Sequence, residues 1–180
     1  MGVLEFATWL QATPVSLAIQ STEWTVPALQ SLHILMIGVV FIAVLMIALR
    51  VLGWSRVDEP FAKVWRRFAP FMWGGVVVMA VTGLLLTLSE PVRELMTLSF
   101  RLKMLLLAVG LVSAAAFGRT MSKAARMPAG VHSNAFPAGT RVAAAATVLL
   151  WLAVIFLGRA IAYDDAIWGA WSPAVLQATP

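Results

Sequence analysis

Between Pro27 and Leu49 the chain runs 23 residues without an Asp, Glu, Lys or Arg. At 1.5 Å of rise per residue this makes about 34 Å of helix, enough to cross a hydrocarbon core roughly 30 Å thick. Three further stretches pass the same test: Ala69 to Leu88, Leu98 to Gly118 (uncharged from Met104 on), and Val142 to Ala162, broken only by Arg159. A soluble domain has no interior large enough for four such segments. The composition agrees, at 61% hydrophobic and 12% charged, with a mean hydropathy of +0.90. That balance belongs to an integral membrane protein. No period-two alternation marks a membrane β-barrel. The expected fold is all-α: a polytopic four-helix transmembrane bundle with helices at about 27–49, 69–88, 98–118 and 142–162.

A pI near 10.8 would suit a nucleic-acid partner, but the distribution of charge argues against one. Arg50, Arg56, Lys63, Arg66, Arg67, Arg119, Lys123, Arg126 and Arg141 fall on one side of the four spans, with only Asp58 and Glu59 as acids. Arg93, Arg101, Lys103 and Arg159 fall on the other, against Glu5, Glu23, Glu90, Glu94, Asp164 and Asp165. The sides carry +7 and −2, giving the net +5. Basic excess in short loops marks the cytoplasmic face. The chain is therefore expected in a bacterial inner membrane, both termini on the outer, periplasmic side. The excess charge reads as a topology signal that also meets anionic headgroups.

Residues 1–26 are too short and too interrupted to span. Pro14 and the polar Gln11, Thr13, Gln20, Ser21 and Thr22 break the run, while Phe6, Trp9, Leu10, Val15, Leu17 and Ile19 keep it apolar. They read as an outer interfacial helical segment. Residues 27–163 form the transmembrane domain and 164–180 an outer tail. Trp9, Trp24, Trp168 and Trp171 fit an outer aromatic belt, and Trp54, Trp65 and Trp73 an inner one. The first basic residue is Arg50, so a basic leader region is missing and no cleavable signal peptide is expected. Cysteine is absent, which excludes thiolate chemistry. Gly110, Ala114 and Gly118 recur every four residues, a spacing that lets helix backbones approach in lipid. LQATP occurs at Leu10–Pro14 and again at Leu176–Pro180, without a physical reading.

Ionisable side chains inside a membrane segment are expensive and point to function. His33 lies about six residues, roughly 9 Å, into the first span. Lys103 lies about five residues into the third. Arg159 stands near the outer end of the fourth, where Asp164 or Glu90 would pair with it, and Glu90 closes the second. Every span thus places a polar group in the outer third. His132 falls in the cytoplasmic loop, so the two histidines cannot clamp one haem. His33 can still serve as one axial ligand of a b-type haem, with Lys103 or water opposite. Arg159 and Arg101 would then hold propionates or a quinone headgroup. His33 and Met36, at i and i+3, form the thinnest of copper sites, since Cu(I) asks for several soft ligands. No phosphate loop, zinc helix or Ser–His–Asp set is present.

The runs SLHILMIGVVFIAVLMIALRVLG, FRLKMLLLAVGLVSAAAF and LLWLAVIFLGRAIAY resemble a group of small bacterial four-helix membrane proteins of uncharacterised function. More distantly, a histidine early in the first helix and a lysine early in the third resemble the copper-resistance D-like proteins and the HemJ-type protoporphyrinogen oxidases. In the latter such a pair is associated with b-haem, which implies that role for His33 and Lys103. The chain departs from these families in reading Ala114-Ala115-Ala116-Phe117-Gly118 where a further histidine would stand on the third helix. Three functions follow as expectations: a redox protein holding haem b or a quinone, an accessory subunit of a larger membrane complex or a homo-oligomer, and a copper-handling protein. Whether the protein is an enzyme is not legible from the residues.

Overall fold

The computed structural model describes residues 2–119 and 136–173, and the backbone alone of 120–124. Among the described residues every regular element is helical. Two short helices, α1 (Val3–Gln11) and α2 (Pro14–Ser21), lead into α3 (Thr25–Leu52). A turn connects α3 to α4 (Phe61–Ser89). The short α5 (Pro91–Met96) precedes α6 (Leu98–Ala124). Helix α7 (Ala138–Ala160) runs through a 3-10 turn (Ile161–Tyr163) into α8 (Asp164–Trp168) and a last 3-10 turn (Gly169–Trp171). Helices α3, α4, α6 and α7 are long and apolar enough to cross a membrane. The end of the bundle that carries α1, α2 and α8 is termed outer.

The helices outrun the hydropathy windows because hydropathy marks only the lipid-facing part. Helix α4 begins at Phe61, not Ala69, and takes in Lys63, Arg66 and Arg67. These are good helix formers, and two of them, Lys63 and Arg67, turn their charges to Glu59. Pro70 stays inside α4, as neighbouring groups in a bundle allow. Helix α7 starts at Ala138, four residues before the expected Val142. The outer segment 1–26 is not one helix but two, split where Thr13 accepts the Ser16 N–H and Pro14 opens α2. Pro91 likewise opens α5, an element the apolar windows do not reveal. Gly53 ends α3 with φ +79°, the left-handed cap that glycine adopts freely.

Helix α3 packs along α4 and against α7, and α6 packs on α7. Lipid supplies no hydrophobic drive between helices, so close van der Waals contact carries the assembly. Three glycines permit it. A Cβ on Gly75 would stand 2.6 Å from Val40 Cγ2, one on Gly110 2.9 Å from Leu150 Cδ2, and one on Gly118 3.0 Å from Trp65 Cζ2. The core of Val40, Ala43, Val44, Met72 and Trp151 fills the inner half. On α3 the buried residues begin only at Val40, so its outer half is less covered. Helix α1 leans on α5, and α2 on α4.

Candidate functional site

His33 projects from the less covered outer half of α3 and is half-buried. Its Nδ1 lies 2.8 Å from the hydroxyl of Thr82, a buried residue of α4. That hydroxyl is 2.9 Å from the Val78 carbonyl, one turn back on its own helix, and donates its hydrogen there. In the tautomer with the proton on Nδ1, the Thr82 oxygen accepts from it while its own hydrogen goes to Val78. The other ring nitrogen, Nε2, keeps its lone pair. Gly83 makes room for the ring: a Cβ there would sit 3.2 Å from His33 Cε1.

Lys103 enters from α6. Its stem lies along Gly158 of α7, where an added Cβ would meet Nζ at 3.6 Å and Cε at 3.7 Å. From this position its charge acts on His33 and on Glu94 of α5. Burial pushes the Glu94 carboxyl above its usual range, against the pull of Lys103 and Arg93 and with a further push from Glu90. The four spanning helices thus supply two polar pairs in the outer half, His33 with Thr82 between α3 and α4 and Lys103 along Gly158 between α6 and α7.

The remaining candidates stand apart from them. Arg101 is exposed and donates from Nε to the Leu95 carbonyl at 3.2 Å. Arg159 is exposed, donates to the Tyr163 hydroxyl at 3.2 Å and places its guanidinium over the Tyr163 ring. The expected pairing of Arg159 with Asp164 or Glu90 is not made: Glu90 is held by Arg93, and Asp164 is turned inward. Met36 shares the half-buried face of α3 with His33. Among the described residues no three His, Cys, Asp or Glu side chains gather as a metal site. His132, most of the loop from Arg119 to Arg141, and Leu176–Pro180 lie outside the described residues.

Two features escape a reading by composition. Thr82 is one; a lone hydroxyl followed by glycine, at the depth of His33, was its only signal. The other is Asp164, counted above as part of an outer tail. Its carboxylate accepts the Ser99 N–H at 2.8 Å, the Leu98 N–H at 3.2 Å and the Ser172 hydroxyl. Trp168 Nε1 donates to Ser99 Oγ at 2.9 Å. The start of α6 is therefore capped by a residue 65 positions away, which neutralises orphan amides and the positive helix end together. Thr97, just before α6, does not cap it, because its hydroxyl donates to Glu94 O.

An outer cavity of about 570 Å³ lies between Leu4, Arg93, Met96 and Tyr163, and an inner one of about 140 Å³ between Ile47, Trp65, Phe117 and Trp151. Neither is lined by His33 or Lys103. No family model, curated protein or solved structure matches the chain.

Proposed function

We propose that this integral membrane protein holds a b-type haem at the outer polar locus, with His33 as an axial ligand, in a redox role at a bacterial inner membrane. The observation that carries the reading is the 2.8 Å contact of His33 Nδ1 with the Thr82 hydroxyl, which in the Nδ1–H tautomer turns the Nε2 lone pair to a metal. Metal-bound histidines characteristically fix the opposite nitrogen in this way. Lys103, on a different helix, is the second nitrogen donor in the outer half. The donor set suits iron; the arginines expected at the propionates do not, since Arg101 and Arg159 already face Leu95 and Tyr163.

Bound haem would supply one-electron transfer. The chain's own contribution is to orient the imidazole through Thr82 and to keep Lys103 against Gly158. The test is an absorption spectrum of protein purified in detergent after haem-replete expression. A Soret band lost in His33→Ala supports the reading. A band unchanged in His33→Ala removes His33 as ligand. No band in the parent protein leaves the accessory-subunit reading, in which the locus joins helices without chemistry.

A further inference from the structure

At the other end of the bundle, the turn between α3 and α4 gathers four cations around one residue, Glu59, three of them at its carboxylate. Arg56 Nη1 donates to Glu59 Oε1 at 3.0 Å. Lys63 Nζ and Arg67 Nη2 stand 3.6 Å from Glu59 Oε2, in ion-pair range but beyond a hydrogen bond. Arg50, only 2% exposed, reaches the turn from below and donates from Nε to the Glu59 carbonyl at 2.9 Å. Desolvation pushes the Glu59 carboxyl up, yet Arg56, Arg67 and Lys63 together hold it below its usual range, so it stays ionised. The cluster still carries three positive charges more than negative ones, and among the described residues no ion pair draws on Asp58.

Among the described residues, three buried polar atoms there have no hydrogen-bond partner: the donors Arg50 Nη1 and Arg56 Nε, and the acceptor Glu59 Oε2, which has only the ion pairs to Lys63 and Arg67. Buried polar groups are nearly always paired, and one left unpaired asks for a missing water or ion. Arg56 also has a φ of +54°, a left-handed backbone rare outside glycine and common in ligand clamps. Its guanidinium lies 5.7 Å over the Phe68 ring, which fixes its plane.

We infer that this turn binds the phosphate of an anionic phospholipid, with Arg56 and Arg50 as donors and Lys63 and Arg67 at the rim. Guanidinium groups match a phosphate two bonds at a time. The source is a lipid, not free phosphate, because the turn joins two helices long and apolar enough to cross a membrane and carries Trp54, 74% exposed, an aromatic suited to the interface. By the positive-inside rule this is the leaflet whose anionic lipids attract basic segments. The inference does not depend on the outer locus.

The test uses native mass spectrometry and thermal melts of the full chain. Nanodiscs of phosphatidylcholine are compared with nanodiscs containing phosphatidylglycerol, and inorganic phosphate is added separately to detergent-purified protein. The expected result is one retained phosphatidylglycerol and a higher melting temperature. Arg56→Gln weakens retention about tenfold, the worth of one charge-assisted bond. Arg119→Gln, basic and on the same side but outside the cluster, and His33→Ala leave retention intact. Arg50→Gln unsettles a buried group, so Lys63→Gln serves as the second rim variant, with a smaller loss. Equal retention of phosphatidylcholine, an equal loss in Arg119→Gln, or full stabilisation by inorganic phosphate alone overturns the inference.

Discussion

Replacing Asp164 should unfasten the outer end of the bundle, far more than its place after the last span suggests. The carboxylate serves three donors at once: the Leu98 and Ser99 amides and the Ser172 hydroxyl. Asp164→Ala leaves all three without it. A buried donor stranded in this way costs about 1–3 kcal/mol. The site lies at the outer boundary, where water can enter once the side chain is gone, so the low end applies. Three donors then give roughly 3 kcal/mol, including what the helix end loses in charge compensation. Asp164→Asn keeps one acceptor oxygen for Ser99 but turns an amide towards Leu98 or Ser172, for roughly half that loss.

For a chain of this length 1 kcal/mol moves the melting temperature by about 2–4 °C. Asp164→Ala should therefore melt about 6–12 °C lower and Asp164→Asn about 3–6 °C lower, followed by intrinsic tryptophan fluorescence in detergent. Trp168, bonded to Ser99, reports the clamp directly, and its emission should shift to the red. Hydrogen exchange at the Ser99 amide should accelerate with it. Asp165→Ala is the control: its side chain is exposed and takes no part in the clamp. If Asp164→Ala melts within about 2 °C of the parent, or no lower than Asp165→Ala, the long-range cap does not stabilise the fold and the argument fails.

Gly75→Ala should destabilise by about 1–3 kcal/mol, because the new methyl meets the short, stiff Val40 side chain at 2.6 Å and pushes α3 from α4; a melt equal to the parent's would count against that close approach. Thr82→Val removes the acceptor for His33 Nδ1 while keeping the volume, so haem affinity should fall about 10–100-fold with the protein still folded; unchanged retention of the Soret band would show that Thr82 does not set the imidazole. Glu94 gives a pH signature. Its folded carboxyl titrates above the usual range, so the native state holds the proton longer than the unfolded chain, and stability falls as pH rises through that window. Glu94→Gln should flatten the fall. An equally steep pH profile in the variant would assign the dependence to another group.

What the residues disclosed in advance was depth. Hydropathy and charge place His33 and Lys103 at a common level because rise along a helix is fixed at 1.5 Å per residue. Rotation about the axis is not fixed by either, since in lipid a polar residue gains from any partner it can find. Lys103 turns inward because Gly158 offers a groove for its stem, whereas Arg159, one residue further on the same helix, turns out to Tyr163. Nothing in a run reading Leu157-Gly158-Arg159 distinguishes those outcomes until the neighbouring helix is in place. Asp164 was hidden for a related reason. A cap is normally sought just before the helix it serves, and α6 is capped from the first residue of α8, beyond the end of α7. Thr97, which holds the ordinary position, spends its hydroxyl on Glu94 O. The same local bond ties the start of α6 back to Glu94 of α5. The cap and the polar locus are therefore mechanically connected through the start of α6: Ser99 is held by Asp164, and Lys103 stands one turn further along the same helix. Loosening the clamp should displace Lys103 relative to His33, so Asp164→Ala is expected to weaken any ligand held by that pair even though it touches neither residue.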